Sequence, residues 1–446
     1  METLRPPAQV LRIARRLEEA GFETWCVGGA IRDALLGHRH QDWDLATAAR
    51  PEQVQRLFRR TVPVGIEFGT VGVLDDDGVL HEVTTFRKDV ATDGRHAVVE
   101  FGASLDEDLA RRDFSINAIA YSPATGRIHD PFGGRDDLER RLVRAVGVPQ
   151  ERMAEDRLRA LRAIRFASRF GFDIEANTWS AVIGSTPFLD RLSPERVRQE
   201  LEKTMEQVDC PSGALRRWRE SGALAELIPS LAALSDITLR SLDAIVRPVA
   251  RNRRHGQRKH ARIAALFADL SPKDTRRALE NLRFSNRDVA WITTVLDRWR
   301  QLHPGLEKAL QGEEASDAQV RRWVAMCGRT KVDFVLRLAA ARVAAEHNLA
   351  HAAPALRRMR SLYRRMVRSA FRDPVEVGDL AIDGDDLRRA GISEGPVIGR
   401  LQRYLLDAVL TDPSLNNGET LLEMAQSFLK TDMVERSPSR PAPKER

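Results

Sequence analysis

Cysteine is the first scarcity: the chain has three in 446 residues, Cys26, Cys210 and Cys327. They stand far apart, in neither metal-ligand nor disulfide spacing, which excludes a cysteine-built framework and suits a reducing compartment. No run of about 18 apolar residues occurs. Met1 to Gln9, with Pro6-Pro7, lacks the apolar core of a secretion signal. These absences argue against export and membrane spanning, and the cytoplasm is the expected compartment. Aromatics are only 6% of the chain, and lysine is rare, with Lys88, Lys203, Lys259 and Lys273 among the few.

Arg, Ala, Leu and Glu are abundant instead, a balance that favours helix over strand. With 42% hydrophobic residues the chain can bury a sizeable core, so global disorder is excluded. The length suggests roughly two to four domains. The formal charge is +7 and the pI near 9.6. Nearly all the positive charge is Arg, whose rigid fork suits phosphates and base edges, although a GC-rich coding sequence gives the same bias.

Residues 8 to 146 alternate helical patterns with short β-branched runs. Val10 to Ala20 reads as an amphipathic helix closed by Gly21, and Glu23 to Val27 as a strand entering Gly28-Gly29. A helix follows over Ala30 to Leu36, a strand around Trp43 to Ala46 and a helix over Pro51 to Phe58. Strands over Thr70 to Leu74 and Leu80 to Phe86 flank the turn Asp75 to Gly78. From Glu151 onward strands disappear and long helical periods take over, beginning with Glu155 to Phe170 and Ser193 to Gln207.

The glycines and acids carry the chemistry. A strand running into Gly28-Gly29 and then a helix brings backbone N–H groups toward an anion, with Arg32 one turn in; the same turn alone also serves any strand-to-helix junction. Asp42 and Asp44, two apart on a strand, share one face, and like charges held together call for a cation between them. Mg²⁺ is the natural candidate, against the plain alternative of a polar strand end. Glu82, among apolar and β-branched neighbours, can be brought beside the pair by a neighbouring strand. Two or three acids beside a phosphate-binding turn suggest two-metal nucleotidyl transfer.

Four ordered motifs extend this. They are Gly28-Gly29-Ala30-Ile31-Arg32-Asp33 with Asp42-Trp43-Asp44, then Arg111-Arg112-Asp113-Phe114-Ser115-Ile116-Asn117, then Glu155-Asp156 with Arg159 and Arg162, then Ser193-Pro194-Glu195-Arg196-Val197-Arg198. In this order and spacing the chain resembles the class II tRNA nucleotidyltransferases, the family of CCA-adding enzymes and bacterial poly(A) polymerases. Asp379 to Leu387 with Gly391 to Gly399 is similar to the C-terminal region of many bacterial members.

The resemblance implies an α+β head with a five-stranded sheet of polymerase-β type over 1–146. An all-α neck (147–210), body (211–310) and tRNA-binding tail (311–430) would follow, with a disordered end (431–446). It implies template-free addition of CCA, from CTP and ATP, to the 3′ end of tRNA, with pyrophosphate released, by a monomer or homodimer away from membranes. A CC-adding or A-adding half enzyme and a poly(A) polymerase are the alternatives within this chemistry; a non-catalytic RNA-binding protein is the alternative outside it.

Carried residue by residue, Asp42 and Asp44 would hold Mg²⁺ and Glu82 would match a third acid supplied by some members. Gly28, Gly29 and Arg32 would contact the nucleotide, Arg112 and Asp113 would read the ribose, and Asn117 would support them. Asp156 and Arg159 would choose the base. Cytosine and adenine both pair an exocyclic amine with a ring-nitrogen acceptor, so a carboxylate and a guanidinium can accept them and refuse guanine and uracil. On one helix, Asp156 and Arg159 at i and i+3 project together. Arg162 then reaches the same nucleotide, and Arg165, about half a turn from Asp156, touches RNA or the domain junction, although the family counts it as a nucleotide contact. The plain reading of this helix is an exposed basic face over a packed core.

Arg87 to Phe101 corresponds to the flexible loop that complete CCA-adding enzymes use to switch from C to A; here it lacks the common Arg-Arg-Pro. Many relatives carry a His-Asp phosphohydrolase domain, but Asp269 has no His before it and His255 and His260 lack ligand spacing. No phosphohydrolase activity is expected. Arg251 to Arg262 and Arg357 to Arg368 are candidates for RNA phosphates.

Overall fold

The computed structural model describes residues 4–38, 43–92, 97–245, 257–346, 349–392 and 395–435. Asp42, the middle of the 87–101 segment, His255 with much of the basic run from Arg251, and the chain beyond residue 435 lie outside the described residues. The protein folds as two compact units, Met1–Leu234 with Ala278–Phe284, and Ser235–Arg277 with Ser285–Arg446.

The first unit opens with α1 (Ala8–Glu19), whose Val10, Ile13, Ala14 and Leu17 recur at helical spacing and are buried. β1 (Thr24–Val27), α2 (Gly29–Leu35), β2 (Asp44–Thr47) and α3 (Pro51–Leu57) follow, then β3 (Thr61–Gly65), β4 (Thr70–Leu74) and β5 (Leu80–Thr85). β6 (Arg87–Thr92) and β7 (Ala97–Phe101) pair with each other. Beyond α4 (Leu105–Ala110) come β8 (Ala120–Tyr121), β9 (Ile128–His129), α5 (Gly134–Glu139) and β10 (Leu142–Val143). The unit continues through α6 (Pro149–Glu155), α7 (Leu158–Phe170), β11 (Asp173–Ile174), α8 (Ala176–Ser185) and α9 (Pro194–Gln207).

The main sheet has seven strands in the order β3-β4-β5-β2-β1-β8-β9, with β2 and β5 parallel and the other neighbours antiparallel. The five strands implied by family resemblance are its longer members; the two-residue strands β8 and β9 extend it along the outer edge of β1. β3 escapes the sequence reading because Pro63 interrupts it, and as an edge strand it tolerates proline. The segment read as a flexible loop is instead, in its described parts, the β6-β7 hairpin. Strands also persist past residue 151, since β11 pairs in parallel with β10.

Side-chain alternation divides the sheet into two faces. Cys26, Leu45, Val71, Val73 and Val83 are buried on the face that packs on α1 and α3. On the other face Val27 and Ala46 join Leu105, Leu109 and Phe86 in a second apolar cluster. Asp44 lies two residues before Ala46 and so shares this second face.

The second unit is all-helical in its described residues, with long helices over Asn286–Gln311, Val332–Glu346 and Leu349–Arg372. Its C-terminal part packs around Leu387, Leu401, Leu405, Val409 and Leu421, and the last helix runs from Gly418 to Glu435. Asp269 accepts hydrogen bonds from the Ser235 and Thr238 hydroxyls and pairs with Arg342 at 2.7 Å. His260 meets Asp288 at 3.1 Å and the edge of Trp291. Both groups tie helices together. Among the described residues no helix is long and apolar enough to cross a membrane.

Candidate active site

A cleft of about 640 Å³ opens in the first unit, where the second face of the sheet meets α7 and α9. Its walls carry Gly28, Gly29, Arg32, Asp44, Glu82, Arg112, Asp113, Asn117, Asp156, Arg159, Arg162 and Arg165. The described residues expected to bind the nucleotide and metal are therefore in one place. Asp42 is outside the described residues, and β2 begins only at Asp44.

The ladder explains the acids. Leu45 stands beside Val83 in the parallel β2-β5 pair, so the preceding residues, Asp44 and Glu82, are lateral neighbours. In the antiparallel β1-β2 pair Asp44 lies opposite Val27, next to Gly28, whose φ of 78° and ψ of −141° suit glycine. A Cβ at Gly28 would lie 3.2 Å from Arg112 Nη1 and 3.7 Å from Asp44 Oδ2. The missing side chain lets a guanidinium and a carboxylate converge on the turn.

Arg32 is only 4% exposed. It pairs with Asp33 at 2.6 Å, donates to Asn117 Oδ1 and lies over the rings of Phe166 and Phe170, 5.1 and 4.7 Å from their centroids. Asn117 donates to Asp113 at 2.8 Å, and Asp113 pairs with Arg162 at 2.7 Å. Burial alone would raise the Asp113 pKa; Arg162 and the Asn117 hydrogen bond outweigh it and bring it down to about 2. Arg112 donates to Asp108 at 3.0 Å, while its Nε is buried with no hydrogen-bond partner among the described residues. Asp108 is likewise held low, since Arg112 and Arg111 overcome its burial.

The segment around Asp156 corrects the sequence reading. Glu155 to Phe170 is not one helix: α6 ends at Glu155, Asp156 is extended (φ −149°, ψ 104°) and α7 starts at Leu158. The break is stabilised because Asp156 Oδ1 accepts the Leu158 N–H at 3.0 Å and Oδ2 pairs with Arg196 at 2.7 Å. Asp156 and Arg159 thus reach the cleft from either side of a bend, not along one helix face. Arg159 is held by Glu155 at 2.6 Å and by the carbonyls of Arg152 and Arg111.

Arg165 also lines the cleft, 4% exposed and paired with Glu200 at 2.6 Å. Glu200, Asp108 and the role of Arg196 escaped the sequence reading. The i,i+4 spacing of Arg196 and Glu200 on α9 was the available signal, because it puts both on one helix face.

The donor set at Asp44 and Glu82 consists of hard carboxylate oxygens beside an Arg-rich anion pocket, the combination that Mg²⁺ with a phosphate ligand requires. Among the described residues no group of three acidic, His or Cys side chains is close enough to hold a metal alone. Asp42, two residues from Asp44, is the nearest further acid in sequence.

Residues 24–144 match the "Poly A polymerase head domain" and residues 171–234 the "Probable RNA and SrmB- binding site of polymerase A". The CCA-adding enzyme of Geobacillus kaustophilus (strain HTA426) is 35% identical over 434 residues, covering 94% of this chain and 96% of that one. That of Latilactobacillus sakei subsp. sakei (strain 23K) is 32% identical over 435 residues, covering 94% and 98%. The crystal structure of the Bacillus stearothermophilus CCA-adding enzyme in complex with CTP superimposes with a TM-score of 0.78 at 31% identity, covering 97% of this chain and 100% of that one. With acids, arginines and the bend at Asp156 on one cleft, and relatives matched end to end, the chain belongs to the CCA-adding enzyme family of nucleotidyltransferases.

Proposed function

We propose that the protein adds CCA to the 3′ end of tRNA without a nucleic-acid template, through the cleft that joins Asp44 and Glu82 to Asp156 and Arg159. That shared cleft is the observation that carries the reading, and the relative crystallised with CTP supports it.

The 3′-hydroxyl of the RNA attacks the α-phosphate of CTP or ATP, a new phosphodiester forms and pyrophosphate leaves. Asp42 and Asp44 would hold Mg²⁺, with Glu82, the lateral neighbour of Asp44, as a third acid; the ion when bound lowers the cost of charge on the attacking and leaving oxygens. Arg112, whose Nε has no partner among the described residues, is oriented by Asp108 beside the Gly28 turn and offers a donor to the sugar or phosphates. Asp113, kept ionised by Arg162, presents a fixed acceptor for a ribose hydroxyl. Asp156 accepts from the exocyclic amine and Arg159 donates to the ring nitrogen. Both are pre-oriented by protein partners, so little ordering remains when the base arrives.

The deciding experiment offers tRNA transcripts ending before the first C, after one C and after two Cs to CTP, ATP, GTP and UTP separately. Expected are C, C and A in turn, with G and U refused. Arrest after CC, or addition of A alone, gives a half enzyme; unlimited A on varied RNAs gives a poly(A) polymerase. Lack of incorporation overturns the reading.

A further inference from the structure

One part of the cleft face is apolar and open. Val62, Val64 and Leu80 are 38%, 42% and 38% exposed, and Phe68, just beyond β3, is 41% exposed. Val62 lies opposite Gly72 and Gly72 opposite Glu82, and Glu82 neighbours Asp44. A single row therefore crosses four strands from Val62 to Asp44. A Cβ on Gly72 would fall 2.5 Å from Leu80 Cδ1 and 2.8 Å from Val64 Cγ2. Those two side chains close over a position that only glycine leaves vacant, and the strip they make leads to the acids. Arg87, itself on the cleft wall, donates to the Phe68 carbonyl and lies 6.0 Å from its ring centroid, which fixes Phe68 beside the same opening.

Exposed aliphatic side chains gathered in a row gain by losing contact with water, so the strip favours an occupant. The cleft is polarised around Asp44. Arg32 and Arg112 stand on the Gly28 side, with Arg112 Nη1 beside the glycine turn, and a triphosphate belongs with them. Phosphoryl transfer places attacking and leaving oxygens in line, so the hydroxyl approaches from the side away from the pyrophosphate. That direction leads back over β5 and β4 to the strip.

We infer that Val62, Val64, Leu80 and Phe68 seat the 3′-terminal nucleotide of the acceptor RNA, with base and ribose against apolar side chains and the hydroxyl facing Asp44 and Glu82. The inference rests on the nucleotidyl-transfer reading above. It also accounts for the chemistry of the strip. The acceptor end changes identity after every addition, and aliphatic and stacking contacts tolerate any base where hydrogen-bonding pairs would choose one.

The test compares wild type with Val64→Ser/Leu80→Ser and with Phe68→Ala, all at exposed positions. RNA KM, CTP KM, melting temperature and the fluorescence of an acceptor ending in 2-aminopurine riboside are measured for each. Expected are an RNA KM raised about tenfold, a CTP KM and melting temperature near wild type, and loss of the 2-aminopurine quench seen with wild type. An active wild type with RNA KM and quench unchanged in the variants overturns the seat and leaves the activity standing. Variants that turn a wild-type dimer into monomers without altering RNA KM assign the strip to a second copy and overturn it too. A wild type that incorporates no nucleotide removes both readings.

Discussion

At Gly28 a single added methyl group would be felt directly in the cleft. Its φ is positive, and a Cβ there would press on Arg112 while standing 3.7 Å from Asp44. Gly28→Ala should cost about 1–3 kcal/mol of stability from backbone strain and raise CTP KM as Arg112 is displaced, read by melting and steady-state kinetics. Asp44→Asn keeps the shape but removes the charge; incorporation should fall about a thousandfold with RNA binding retained, whereas unchanged incorporation would remove Asp44 from the chemistry. Asp113 gives a pH signature. Its folded pKa of about 2 lies below the usual carboxylate value, so its contribution to stability is complete above about pH 4 and is lost as pH falls through about 2. Acid melting curves of Asp113→Asn should therefore fall less steeply across that window than wild type, with no difference in slope near neutrality. Cys26 and Cys327 are buried, and burial pushes both thiols up to about 12. A thiol reagent should accordingly modify only Cys210 in the native protein and all three after unfolding.

At the scale of elements, the bend between α6 and α7 carries the proposed base selection. Removing either side of the Asp156–Arg196 pair loosens the acceptor for the exocyclic amine. Asp156→Ala should cut the preference for CTP over GTP by about tenfold to a hundredfold, and Arg196→Ala should act in the same direction more weakly, both measured by single-nucleotide incorporation. This bend shows why elements were only partly legible in sequence. Leu158, Leu161 and Ile164 continue an apolar period through the segment, and periodicity carries no trace of a break that depends on Arg196, forty positions away along the chain. β1, β2, β4 and β5 were legible because each alternates or runs apolar between clear turns. β3 was hidden by Pro63, and β8 to β11 by being two residues long, too short for any period. The site residues could be named from their motifs, but not their partners. Arg162 holding Asp113 and Glu200 holding Arg165 are contacts across 49 and 35 residues, fixed by packing rather than local pattern.

For the whole molecule, the surplus of +7 is distributed unevenly. In the cleft most cations are matched by acids: Arg32 by Asp33, Arg112 by Asp108, Arg162 by Asp113 and Arg165 by Glu200. Such pairs fix geometry at little cost in net charge, so general attraction for RNA has to come from elsewhere. The helix Leu349–Arg372 is the candidate source. Arg358 and Arg365 of this helix turn to the Leu310 carbonyl and to Asp317, whereas Arg357, Arg360, Arg364 and Arg368 are exposed at three- and four-residue steps along one face. From Arg357 to Arg368 the helix rises about 16 Å, enough for several consecutive phosphates. If this ridge neutralises phosphates, tRNA binding weakens with salt through counterion release, and each contact adds about one to the slope of log affinity against log salt. Arg360→Gln/Arg364→Gln should therefore lower that slope by about two and raise RNA KM at moderate salt, with CTP KM and the CTP-over-GTP preference unchanged. A slope identical to wild type would place the phosphate contacts on another surface.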